Sequence, residues 1–93
     1  MQTIDSGYER QLQFKQEIDV RGMRADEAIQ AVTYFIDDAI RFSVARVRIL
    51  HGTGTGALRQ AIRELLSTTS GISSYHDEDV RFGGAGITVV NLK

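Results

Sequence analysis

Cysteine and proline are both absent from this 93-residue chain. Without cysteine there can be no disulfide framework and no cysteine-ligated zinc site. Without proline, one of the usual markers of helix ends and domain boundaries is missing. No apolar run approaches the roughly 20 residues that span a bilayer, and the opening MQTIDSGYERQ has neither the basic nor the apolar region of a secretory signal. These absences leave a soluble chain with a cytoplasmic address and no membrane partner as the expectation. The length suits one domain, with one modest core that buries about 60–70% of the surface exposed by the unfolded chain.

An excess of either charge is also absent. The net charge is −1, so no global field attracts nucleic acid. The distribution is uneven, however. Arg41 to Arg63 holds five arginines and no acid, whereas Asp37, Asp38 and the run Asp77-Glu78-Asp79 gather negative charge elsewhere. Arginine outnumbers lysine nine to two, and its planar fork suits phosphate. Solvated helix faces and edge strands would account for the same composition.

Residues 1–16 read as a polar N-terminal arm or linker, with Tyr8, Leu12 and Phe14 as candidate anchors, and residues 17–93 as the domain. Glu17 to Arg21 alternates with period two, a strand with Ile18 and Val20 on the core face. Asp26 and Glu27 open a helix over about 26–42, with Ala28, Ile29, Val32, Phe35, Ile36, Ala39 and Ile40 on its inward face. Arg46 to Leu50 is a second strand, and Leu58, Ala61, Ile62, Leu65 and Leu66 mark a second amphipathic helix. Ile72 to about Asp77 and Ile87 to Leu92 complete the set. The expected fold class is α/β: a two-layer β-α-β-α-β-β sandwich with a mixed four-stranded sheet. Strand-helix-strand units imply parallel pairing of the first three strands. A short connection makes the fourth antiparallel, and one sheet face is left partly open.

The stretch RILHGTGTGALR, Arg48–Arg59, places three alternating glycines between a strand and a helix, directly after His51. Helix N-termini carry unpaired N–H groups and partial positive charge, so a phosphate fits there. In α/β sheets ligands gather at the carboxyl ends of parallel strands. Three segments should meet at that edge: Asp19-Val20-Arg21-Gly22, His51-Gly52, and Gly83-Gly84-Ala85-Gly86. The candidate phosphate-binding residues are Gly52, Thr53, Gly54, Thr55, Gly56, Gly84 and Gly86, with Arg46 and Arg48 extending a basic path over the open sheet face. Arg21 can clamp a phosphate bidentately, His51 can donate to it or move a proton, and Asp19 can orient either one. Each has a bland alternative: a turn histidine, a structural Asp–Arg pair, and a glycine turn. Their expected convergence is what favours a site. His76 reads as an exposed histidine.

Gly52-x-Gly54-x-x-Ala57 also satisfies the loose dinucleotide pattern G-x-G-x-x-G/A. The chain is too short for a doubly wound domain, so no bound nucleotide is expected. A Walker loop is excluded because no G-K-[ST] follows. A divalent ion, Mg²⁺ or Mn²⁺, held by Asp19, His51 and Glu17 is the cofactor candidate, though no spacing demands it.

At these residues the chain resembles the Smr (small MutS-related) domain family. The motifs are IDVRG at Ile18–Gly22 (usually LDLRG), HGTGTG at His51–Gly56 (H-G-x-G-x-G) and GGAGITVVNL at Gly83–Leu92. The resemblance implies a sandwich similar to the C-terminal domain of bacterial translation initiation factor three. It also implies nicking or endonuclease activity on DNA or RNA. Such domains stand alone or end a larger bacterial MutS paralogue with ATPase domains, linked to suppression of recombination and rescue of collided ribosomes. The closing GGAGITVVNLK resembles the end of that paralogue, so the chain is expected to be a fragment. Asp19 and Arg21 match the polar pair of the first motif; His51, Gly52, Gly54 and Gly56 match the second. The expected activity is a phosphodiesterase with Asp19, Arg21 and His51 as catalytic residues. The alternative is a non-catalytic module of a larger MutS-type ATPase that binds branched DNA, or the ribosome or RNA.

Overall fold

In the computed structural model, residues 12–93 are described. Pairing of the first strand begins where the alternation begins but stops early. β1 spans Glu17–Asp19, and Val20 makes one further ladder bond through its N–H to the Leu50 carbonyl (2.9 Å). Helix α1 spans Ala25–Arg41, with Asp26 and Glu27 in its first turn; the Glu27 carboxylate accepts the Arg24 N–H (3.1 Å). Strand β2 is Arg46–Leu50, helix α2 Ala57–Thr68, strand β3 Ile72–Asp77 and strand β4 Ile87–Leu92. Two 3-10 turns, Val80–Phe82 and Gly84–Gly86, fill the connection between β3 and β4.

The sheet order is β1-β2-β4-β3. This corrects the expected parallel pairing of the first three strands. β1 and β2 are parallel, whereas β4 is antiparallel to both β2 and β3 and separates them. The reason lies in the composition of β4. Ile87 to Val90 are all buried, and an apolar run that needs cover on both faces takes an interior position in the sheet. β3, with the pattern ISSYHD, is left to the edge.

Ala28, Val32, Ile36 and Ala39 of α1 and Ile62 and Leu66 of α2 pack on Val20, Val47, Ile49 and Val90 as one core. Ile40, expected to face inward, is 41% exposed in the last turn of α1. Phe14 does anchor the segment before β1: its ring stacks on Phe35 at 5.3 Å and meets Phe42 edge-on at 5.7 Å. Leu12 is exposed, and Tyr8 lies outside the described residues. No helix among the described residues is long and apolar enough to cross a membrane.

Candidate functional site

The three expected segments meet at one rim. The N–H groups of His51 and Gly52 both donate to the Gly86 carbonyl, at 3.1 and 2.9 Å. A Cβ built on Gly52 would lie 3.6 Å from Arg21 Cγ, and one on Gly86 would lie 3.7 Å from both the Gly52 Cα and Thr53 Cγ2. Two clefts open there. One, of about 360 Å³, is lined by Gly22, Met23, His51 and the Gly52–Gly56 loop. The other, about 210 Å³, has Arg21 and Gly52 among its lining residues together with Gly83, Gly86 and Ile87. Gly84 sits in the second 3-10 turn, where its N–H donates to the Asp79 carbonyl (3.0 Å).

Gly52, Gly54 and Gly56 all have positive φ, at +81°, +30° and +83°. Backbone conformation alone therefore requires glycine in this loop. Nothing lies within 4 Å of a Cβ built on Gly54 or Gly56, so the space above them is open to a ligand. Gly56 caps α2 in the left-handed conformation, the Ala57 N–H donates to the Thr55 hydroxyl (3.3 Å), and α2 has no acid in its first turn. α1, by contrast, carries two there. The positive end of α2 thus lacks the compensating carboxylates that α1 supplies, the electrostatic condition for holding an anion.

Asp19 and Arg21 form a closed ring. Oδ1 of Asp19 accepts the Arg21 backbone N–H (3.0 Å) and Nε (2.8 Å), and Oδ2 accepts Nη2 (2.6 Å). These side-chain and then backbone bonds from Arg21 hold the Asp19 carboxyl down at about 2, against slight desolvation. Asp19 therefore orients Arg21 and not His51. Both side chains remain about half exposed, at 47% and 59%.

His51 is only 5% exposed and both ring nitrogens are engaged. Nδ1 lies 2.8 Å from the Gly52 carbonyl, and Nε2 lies 2.8 Å from Thr88 Oγ1. A carbonyl can only accept, so Nδ1 carries the proton and Nε2 of the neutral ring accepts from the Thr88 hydroxyl. Arg63 donates Nε (3.3 Å) and Nη2 (3.2 Å) to the same oxygen, which leaves the hydroxyl proton for His51. Desolvation lowers the His51 pKa. The Gly52 carbonyl opposes that shift, Arg63 and Arg59 reinforce it, and Asp77 opposes it in turn. Thr88, Arg63 and Asp77, which binds Arg63 (2.5 Å) and Arg59 (2.9 Å), were not among the sequence candidates. The legible signal was Thr88, a hydroxyl at a core-facing position of ITVVNL and fully buried.

Residues 18–93 match the model of the Smr domain family. The chain belongs to the Smr domain family. Proteins named Endonuclease MutS2 from Bacillus mycoides and Symbiobacterium thermophilum are 46% and 44% identical to it over 77 residues. That match covers 83% of this chain but only 10% of either relative. The crystal structure of the Smr domain of Thermus thermophilus MutS2 superposes with a TM-score of 0.82 at 42% identity, covering 85% of this chain and 99% of that one. YdaL, a stand-alone small MutS-related protein from Escherichia coli, shares the fold at 19% identity, with a TM-score of 0.80 over 100% of this chain and 79% of its own.

Two sets of candidate residues in this Smr domain are engaged elsewhere in the structure. Arg48 does not extend a basic path over the open sheet face, because it is paired with Glu17 and with Glu78 (Nε to Oε2, 2.8 Å) and also donates to the Phe82 carbonyl (3.3 Å). Three arginines of the basic run, Arg48, Arg59 and Arg63, thus meet Glu78 and Asp77 of the acidic run, far apart in sequence. Arg46 stays exposed. The candidate Mg²⁺ or Mn²⁺ ligands are likewise not assembled. Asp19 is held by Arg21, Glu17 by Arg48, and His51 lies between Gly52 and Thr88. No group of three or more His, Asp or Glu side chains among the described residues could hold a metal ion. His76 is exposed, as its sequence context suggests.

Proposed function

We propose that this Smr domain binds a nucleic-acid strand across the rim and cleaves its phosphodiester backbone as part of a larger protein. The observation that carries this reading is the convergence of Arg21, whose stem lies against Gly52, the open glycine loop and the acid-free N-terminus of α2 on one edge. The endonuclease names of the MutS2 relatives support it. A non-bridging phosphate oxygen would draw the Arg21 fork away from Asp19. The freed carboxylate would then accept the proton of the attacking hydroxyl, from water or from a ribose 2′-hydroxyl in RNA. The P–O bond to the leaving oxygen breaks, and that oxygen takes a proton from solvent. Charge developing on the phosphoryl oxygens faces the displaced Arg21 fork and the α2 N–H groups, of which the latter are fixed in advance. His51 holds the loop through Gly52 and Thr88 and transfers no proton in this scheme. No step runs through a metal ion.

The test is nicking of supercoiled plasmid and cleavage of RNA by the purified domain, with EDTA and with Mg²⁺ or Mn²⁺, followed by end-group analysis. Arg21→Ala and Asp19→Asn should each lower the rate by about 10²-fold or more. Rates equal to the parent in both would sink the assignment. A second reading, a binding module without turnover, is favoured by one observation: Asp19 and both His51 nitrogens are already hydrogen-bonded. Tight binding weakened by Arg21→Ala, with no product under any of these conditions, would select it.

A further inference from the structure

The triplet Asp-Val-Arg occurs twice, at Asp19–Arg21 and Asp79–Arg81, and both copies close the same ring. In the second, Asp79 Oδ1 accepts the Arg81 backbone N–H (2.8 Å) and Nε (3.1 Å), and Oδ2 accepts Nη2 (2.9 Å). Each carboxylate occupies the Nε–Nη2 edge of its guanidinium, so the Nη1 hydrogens of both arginines remain for another anion. The second copy opens the 3-10 turn Val80–Phe82, and the chain then runs directly into Gly83 and Gly86, which line the 210 Å³ cleft together with Arg21.

This turn presents apolar surface that the core does not use. Val80 is 89% exposed and Phe82 61%. The Phe82 backbone is nevertheless fixed in place. Its N–H donates to the Asp79 carbonyl (2.8 Å), its carbonyl accepts from Arg48 Nη2 (3.3 Å), and the Arg81 guanidinium lies over its ring at 5.4 Å. An exposed aromatic ring on a hydrogen-bonded turn, backed by a cation and beside a cleft lined by a second arginine, matches the chemistry of an unpaired nucleotide. The ring stacks on the base and the guanidinium edges meet the phosphates. A duplex keeps its base faces stacked internally and offers the ring nothing comparable.

We propose that the Asp79–Phe82 turn is a stacking platform for an unpaired base of the nucleic-acid strand, which makes single-stranded segments the substrate class of the rim. The inference rests on the rim as a phosphate-binding site. Its test is binding of a labelled single-stranded oligothymidylate and of a blunt duplex of equal length at one low salt concentration. Phe82→Ala should weaken single-strand binding roughly five- to hundredfold and leave duplex binding within about twofold. Phe82→Trp should restore it, and its indole, introduced into a chain with no tryptophan, should be quenched by the oligonucleotide. If Arg21→Ala weakens binding but Phe82→Ala does not, the platform is wrong and the rim reading stands. If the parent binds neither probe, both fall. If Phe82→Ala instead abolishes self-association without touching oligonucleotide binding, the turn is a protein contact and the platform is overturned.

Discussion

Asp19–Arg21 and Asp79–Arg81 share three residues and one hydrogen-bond ring, yet Val20 is wholly buried while Val80 is 89% exposed. The ring is local: a carboxylate two residues before an arginine reaches both its backbone N–H and its fork, wherever the triplet lies. Burial is not local. Val20 continues β1 beneath the helices, whereas Val80 sits in a turn outside the sheet. Identical short-range chemistry thus serves a load on the core in one copy and a free surface in the other.

The largest expected contrast is in the valines. Val20→Ala should lower stability by about 2 kcal/mol, from lost burial and the cavity left behind, read as a lower urea midpoint with unchanged slope. The residue following each triplet gives the next. Gly22 has φ of +83° with open space around it, so Gly22→Ala should cost about 1 kcal/mol in backbone strain alone. Phe82, at the equivalent position, carries no such constraint. Beneath the first copy, His51 should make stability depend on pH. Its folded pKa is lowered, chiefly by burial, so the unfolded chain binds the proton more readily. Its contribution is complete above about 6.5 and is lost progressively as pH falls below that value. Urea midpoints measured down to pH 5 should show this decline, and His51→Gln should flatten it. Arg21→Ala should make the plot of log affinity against log salt shallower by about one unit; an unchanged slope would deny Arg21 a phosphate contact. The smallest effect is Val80→Ala, within about 0.5 kcal/mol of the parent.

Much of the fold was legible because hydrophobic period is a local property. β2 and β4 occupy the stretches their alternation and apolar runs predict, and both helices bury the faces their spacing marks, apart from Ile40. The insertion of β4 between β2 and β3 was not legible, since period says which face is buried but not which neighbour covers an edge. At the site, the meeting of Arg21, Gly52 and Gly86 followed from topology. The commitment of Arg48 to Glu17 and Glu78 did not, because carboxylates 31 and 30 residues away become partners only when the sheet and the loop beyond β3 are in place.

The sequence by itself determined the elements, the glycine loop and the two Asp-Val-Arg rings, because each depends on neighbours within a few residues. Only the tertiary structure decided that the neutral form of His51 is favoured, with its proton on Nδ1. That state requires the Thr88 hydroxyl, 37 residues on, to be buried against the ring while Arg63 fills its oxygen. A hydrogen bond between elements exists only after packing has brought them together and excluded the water that would otherwise satisfy both groups.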